Sequence, residues 1–361
     1  MPQVGTPLVL LDYLRHPHSQ GILASKDHVP IQFSYSWDFP TSHGYTLDMP
    51  EGQVLQIAPI LVIFFNRPNN LEQLLAVLER ENVKDLYFAC DGPRNKADET
   101  AIKACWDMVS EKYPNLSSDR LMSRSENLGC RVAVSDAITW FFSKVERGII
   151  LEDDCIPNHE FFRVLTEGLE NYSRNNLIFS ISASNPFGTS KNNRHSYLSI
   201  YPQIWGWATW SNRWSLYLRD FADGREVISE MLHRNPRGMN ALERWTFRSI
   251  WNRILSLSGR GLIDTWDYSM LATMWRHGKF SLQLSGNYVK NIGFDANATH
   301  TKRKPFWVPL DYWGTSDEFK SDILTNPKLD SWLSINVYRC TLSEIFKNII
   351  KDFLKALRLL S

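Results

Sequence analysis

The sequence predicts an α/β protein built on a mostly parallel sheet with helices on both faces. Three observations lead there. Short apolar runs alternate with longer stretches of helical periodicity between residues 59 and 182. The runs are apolar at consecutive positions, as in strands buried on both faces, and do not alternate as a half-wet strand would. Polar or charged residues follow the runs directly, where the carboxyl ends of parallel strands open to a ligand.

The first run, residues 60–65, precedes a helical segment that Asn69 can cap and that carries Leu71, Leu74, Leu75 and Leu78 on one face. The unit repeats with a run at 86–90 before a helix from about Lys96, and a run at 121–123 before a helix over 131–146. It repeats again with a run at 148–151 before a helix from His159, and a fifth run follows at 178–182. Such alternation specifies parallel strands joined by helical crossovers. The main, Rossmann-like domain is drawn from residue 58 to residue 305. Residues 1–57, rich in Pro, His, Gly and Ser, form an irregular N-terminal extension whose role the sequence does not disclose.

Residues 306–361 form a C-terminal segment ending in an amphipathic helix. Leu342, Ile345, Phe346, Ile349, Ile350, Phe353, Leu354, Leu357 and Leu360 fall three and four apart, with Lys347, Lys351, Lys355 and Arg358 on or beside the other face. The helix can dock on protein or lie in the plane of an anionic membrane surface; its basic flank and bulky apolar face favour the membrane.

Composition narrows the function classes. With 43% hydrophobic residues in 361, the chain can bury a sizeable core. The charges nearly cancel at +1, so nucleic acid is not an expected partner, and Lys302, Arg303 and Lys304 make only a small basic cluster. Cys90, Cys105, Cys130, Cys155 and Cys340 are odd in number and lack a CxxC pair, which speaks against a zinc site and a disulfide framework. Residues 1–19 mix Pro, Asp, Arg and His with leucines and so do not read as a signal peptide, and no segment reaches the ~20 apolar residues of a membrane span. The expected setting is the cytoplasm, with peripheral attachment to the inner face of the membrane.

The strand ends carry the chemistry. Asn66, Arg67 and Pro68 follow the first run, and Asp91, Gly92, Pro93 and Arg94 the second. Arginine donates from a fixed fork and aspartate accepts from a ring N–H or a hydroxyl, a pair suited to a nucleoside, although Asp-Gly-Pro is equally ordinary turn chemistry. No glycine-rich phosphate loop of either standard spacing occurs. Glu152, Asp153 and Asp154 end the 148–151 run, and three adjacent carboxylates repel unless something positive sits among them. Magnesium or manganese, which take hard oxygen ligands, would answer that; a solvated acidic turn is the plainer alternative. Trp205, Gly206, Trp207, Trp210 and Trp214 are spaced too closely for all the indoles to enter one core, so some should line a cleft and meet sugar C–H surfaces. Asp264 and Asp267 flank Trp266, and Asp267 is the candidate general base, or else a helix cap. Asn291-Ile292-Gly293-Phe294 leads to His300, whose late position leaves a metal role open.

From about residue 58 to Met270, and in this order, these residues resemble the GT-A glycosyltransferases related to N-acetylglucosaminyltransferase I and the bacterial hemolytic-protein-like glycosyltransferases. The resemblance implies that Arg67 and Asp91 contact the nucleobase, that Glu152 and Asp153 contact ribose and metal-bound water, and that Asp154 closes the family's DXD-type acidic motif on manganese. It further implies that Gly206 and Trp207, which follow the cleft candidate Trp205, belong to the donor and acceptor pocket, that Asp267 of Trp266-Asp267 is the base, and that His300 completes the metal shell. Tyr268 departs from the family, which has a second Asp there, so the donor sugar and acceptor do not carry over. The expected activity is metal-dependent, inverting transfer from a nucleoside diphosphate sugar, UDP-linked, to a glycan or lipid-linked acceptor in surface polysaccharide synthesis. A nucleotidyltransferase or metal-dependent phosphohydrolase could use the same acids, and a non-catalytic glycan-binding module could use the same tryptophans.

Overall fold

The computed structural model describes residues 55–187, 195–221, 224–234, 239–294, 304–309, 311–312, 314, 317, 319–320 and 322–360. The N-terminal extension before residue 55, Lys302, Arg303 and His300 lie outside them. Strands β1 (Ile60–Phe64), β2 (Leu86–Cys90), β3 (Leu121–Ser123) and β4 (Arg147–Glu152) alternate with helices α1 (Pro68–Arg80), α2 (Lys96–Lys112) and α3 (Gly129–Phe142). Next come β5 (Cys155–Pro157), α4 (Glu160–Asn171), β6 (Ile178–Ser182), β7 (Tyr197–Ser199), β8 (Trp207–Trp210) and α5 (Ser211–Trp214). Then α6 (Gly224–Arg234), α7 (Ala241–Gly259), α8 (Asp267–Arg276), β9 (Phe280–Gln283), β10 (Val289–Asn291), α9 (Pro327–Asn336) and α10 (Leu342–Leu360) complete the described chain.

The α/β class expected from the sequence is observed. One sheet runs β3-β2-β1-β4-β8-β6-β9-β7, and β5 pairs with β10 in a separate ribbon. The pairs β3-β2, β2-β1, β1-β4 and β6-β9 are parallel, whereas β8 runs antiparallel to both β4 and β6. Ile60 pairs with Leu86 on one side and Ile149 on the other, so β1, β2 and β4 end level at one edge of the sheet. Their side chains are buried on both faces, which is why the runs are continuously apolar.

Two helix boundaries differ from expectation. Arg67, not Asn69, precedes α1, with Pro68 at its first position, where a fixed φ suits the first turn and the missing N–H costs nothing. α3 starts at Gly129 (φ 79°), because its first amides are met by aspartates distant in sequence, and stops at Phe142. The core also continues past residue 305, with Trp307, Val308, Leu333, Val337 and Cys340 all buried in it.

α10 packs on α7, where both guanidinium nitrogens of Arg253 donate to Asp352, Nη2 at 2.9 Å. Its Phe346, Ile349, Ile350 and Phe353 stand out at 58–63% exposure. Among the described residues no helix is long and apolar enough to cross a membrane.

Candidate functional site

A cleft of about 220 Å³ lies over the level carboxyl ends of β1, β2 and β4, where an open parallel sheet leaves room for a ligand. It is lined by Arg67, Asp91, Glu152, Asp153, Asp154, Trp205 and Asp264 among others, bringing together most of the residues singled out from the sequence. Ile63 pairs with Glu152, so Arg67, just beyond β1, arrives beside the acids that follow β4. Arg67 Nη1 donates to Asp154 Oδ2 at 2.8 Å, and Nη2 donates to Asp153. Asp153, 1% exposed, also accepts from the Phe65 N–H at 3.3 Å. The β5–β10 ribbon then brings Asn291 Nδ2 within 3.2 Å of Asp154 Oδ1. A side chain at Gly293 would collide with that carboxylate, so only glycine lets the chain pass so close.

Burial raises the Glu152 pKa, and the neighbouring Asp154 charge raises it further. Burial likewise raises Asp153, with Arg67 opposing. Burial alone would lower the Arg67 pKa, but Asp153, Asp154 and Glu152 outweigh it and hold the guanidinium charged. One guanidinium thus faces three carboxylates and leaves a net negative site. Among the described residues no three His, Cys, Asp or Glu side chains converge as a ready cage for a metal. The donor set fits instead the habit of magnesium and manganese of binding through one or two carboxylates, completed by phosphate oxygens and water.

Two other predicted residues meet at the start of α3. The Asp91 carboxylate accepts from the Leu128 N–H (3.0 Å), the Gly129 N–H (3.0 Å) and Asn127 Nδ2 (2.9 Å). Asp264 accepts from the next two amides, Cys130 (3.2 Å) and Arg131 (2.9 Å). Together they satisfy the first donors of the helix and place negative charge at its positive end. Asp91 and Asp264 therefore fix α3 against the cleft, a role that no sequence spacing signals.

The tryptophans divide. Trp205 stacks on Trp307 with ring centres 5.7 Å apart and walls the cleft. Gly206 (φ 63°) makes the turn into β8 against the Phe161 ring, in a left-handed conformation that favours glycine. Trp207, expected in the sugar pocket, is a core residue instead: it is 1% exposed, stacks on Trp266 at 5.6 Å, and lines neither cavity. The expectation overlooked that β8 is covered on both faces. Alternate residues of one strand then bury in two different layers, and Trp210 on the other face donates to the Leu169 carbonyl of α4.

Asp267 opens α8 at 8% exposure, accepting from the Thr265 hydroxyl and from the Tyr268 N–H at 3.0 Å. Burial pushes its pKa up to about 6. It lines a second cavity, about 30 Å³, with Gln203, Trp205, Trp307 and Tyr338. Trp205 walls both cavities. Gln203 Nε2 is buried there without a hydrogen-bond partner among the described residues. Sequence reasoning missed Gln203, Tyr338 and the contact of Asn291 with Asp154; only the position of Gln203 two residues before Trp205, in an already suspect stretch, could have drawn attention. The predicted metal ligand His300 lies outside the described residues.

No known protein family and no curated protein matches the chain. Among solved structures it is similar to a WbbM bifunctional glycosyltransferase in its apo form, at 12% identity and a TM-score of 0.30, over 62% of this chain and 38% of that one. It is also similar to a UDP-glucose pyrophosphorylase complexed with UDP-glucose, at 9% identity and a TM-score of 0.29, over 63% of this chain and 90% of that one. The chain thus spans well under half the length of the first. At such scores the likeness is one of outline and says nothing of chemistry.

Proposed function

We propose that this chain is a GT-A-type glycosyltransferase that moves a sugar from a nucleoside diphosphate sugar, UDP-linked, to a glycan or lipid-linked acceptor, with inversion. One observation carries the reading: the acidic cleft at the strand ends opens beside a cavity that holds a buried carboxylate and an unsatisfied amide, with Trp205 as their common wall. A transferase needs that adjacency, an anion-handling site for the donor and a proton acceptor for the incoming hydroxyl.

In this reading Asp154 holds a manganese or magnesium ion, with His300 as a further candidate ligand. When bound, such an ion offsets charge on the departing diphosphate. Arg67, Asp91, Glu152 and Asp153 shape the donor side, and Trp205 presents its indole face to sugar C–H groups. Gln203 Nε2 donates to the acceptor hydroxyl oxygen, and Asp267 removes that hydroxyl's proton as its oxygen bonds to the anomeric carbon. The bond from the anomeric carbon to the diphosphate oxygen breaks on the opposite face. A carboxylate with its pKa near 6 is a stronger base than an ordinary aspartate and is still ionised at neutral pH.

A lipid-linked acceptor suits α10, whose exposed Phe346, Ile349, Ile350 and Phe353 beside Lys347 and Lys351 fit an anionic membrane surface. With it goes a proposed role in surface polysaccharide synthesis, at the inner face of the membrane. The test is a panel of nucleoside diphosphate sugars, each with manganese, read by thermal stabilisation and slow donor hydrolysis. Release of the nucleoside diphosphate supports the reading. Release of only monophosphate and pyrophosphate makes the protein a nucleotidyltransferase or phosphohydrolase, and glycan binding without any turnover makes it a binding module.

A further inference from the structure

The acid assigned to the cation is already engaged. Asp154 Oδ2 accepts from Arg67 at 2.8 Å, Asp154 Oδ1 accepts from Asn291 at 3.2 Å, and the backbone at Gly293 passes so near that a side chain there would meet the carboxylate. A divalent ion on Oδ2 would stand in contact with the guanidinium, and two cations sharing one oxygen in a largely buried site repel strongly. Arg67 has a second anchor, since its other terminal nitrogen is held by Asp153. It can therefore release Asp154 while staying in the site. Its planar fork matches the oxygens of a diphosphate, which would arrive beside it.

We propose that Arg67 is the place-holder for the cation: it neutralises Asp154 in the donor-free protein and transfers to the donor's diphosphate when the ion takes its position. The proposal rests on the metal-dependent reading above. It makes cation and donor mutually dependent, because the ion alone must strip Nη1 of Arg67 of its acceptor while Asp153 keeps the guanidinium beside the ion, whereas the diphosphate supplies Nη1 a new partner. Such coupling is reciprocal, each ligand tightening the other by the same factor.

The experiment titrates Mn2+ alone into the full chain, reading free Mn2+ by electron paramagnetic resonance, and repeats the titration with saturating UDP. Without UDP, Arg67→Gln should bind Mn2+ about tenfold tighter than wild type, while Arg67→Lys, which keeps the charge, should gain little. With UDP the wild type should tighten by a similar factor and Arg67→Gln far less. Arg67→Gln binding Mn2+ no tighter than wild type overturns the exchange while leaving the metal reading intact; no Mn2+ binding by any form, with or without UDP, overturns both. Should Arg67→Gln fail to fold, the wild type decides. Its Arg67 guanidinium N–H resonances, slowed by the ion pairs, should shift on adding Mg2+ with UDP and hold still with Mg2+ alone. Unchanged resonances in both conditions overturn the proposal.

Discussion

The two halves of the sheet are built on opposite plans. From β3 to β4 the strands are parallel, joined by local crossovers, and end in charged residues that face one another across a cleft. From β8 to β7 the directions are mixed, and the packing is aromatic: Trp207, Trp251, Trp266 and Trp275 are all essentially without exposure. The first half organises charge with short-range order. The second buries Asp267 in a setting that withholds water from it. An ion pair network and a desolvated acid need different surroundings, and the chain meets both needs by joining the halves along one antiparallel strand pair, β4 and β8.

If the charged half handles a diphosphate through a cation, Asp154→Ala should lose transfer by about 10³-fold or more and with it all dependence on Mn2+, while the fold persists. Full activity of the variant, or of wild type in a strong chelator, would break the comparison at its donor side. Next in size, Asp267→Asn should keep donor affinity but lose transfer by about 100-fold or more. The same substitution should stabilise the protein at neutral pH. Burial raises the folded-state pKa to about 6 from the ordinary 3.8 of an aspartate, so Asp267 costs stability as pH rises from about 4 through 6, on the order of 1–3 kcal/mol. A lower melting temperature for Asp267→Asn at pH 7.5 would show that this acid is not under desolvation strain.

The pH profile sharpens the same point: kcat/KM should fall about tenfold per pH unit below pH 6 as Asp267 protonates, and Asp267→Asn should flatten that limb. Asp264→Asn, by contrast, removes charge from a helix cap and should cost about 1 kcal/mol of stability, with transfer changed only a few-fold. A loss larger than that of Asp267→Asn would move the base to Asp264. The smallest effect on chemistry belongs to α10. Ile349→Glu with Phe353→Glu should abolish flotation with anionic vesicles and leave turnover of a soluble acceptor unchanged; unaltered flotation would remove the membrane from the picture.

The contrast also explains what the sequence disclosed. Each βα unit of the charged half lies within some thirty residues and announces itself through hydrophobic period, so residues 60–65, 86–90 and 148–151 were readable as strands. The acidic run was readable too, because three adjacent carboxylates demand an explanation. What answers them within the protein, Arg67 and Asn291, comes from 85 or more residues away and has no local signature. The roles of Asp91 and Asp264 as caps of α3 were hidden for the same reason. Trp205 and Trp207 differ by two positions but in opposite fates, and the difference rests on whether β8 has begun and on which layers cover it.

The join between the halves bears on how the molecule comes to be made. β4 is wholly apolar at Ile149, Ile150 and Leu151, and the partner on its open side, β8, lies at residues 207–210. During synthesis at about 5–20 residues per second, several seconds separate the two. In that interval β1 to β4 can assemble locally, but β4 presents an unpaired edge whose apolar middle, Ile149 to Leu151, has charge only at the strand's two ends, Arg147 and Glu152, to discourage another chain. The nascent polypeptide is therefore most prone to self-association midway through translation, and slower growth across residues 152–207 or a scarcity of chaperones should lower the yield of native protein more than the same stress applied later.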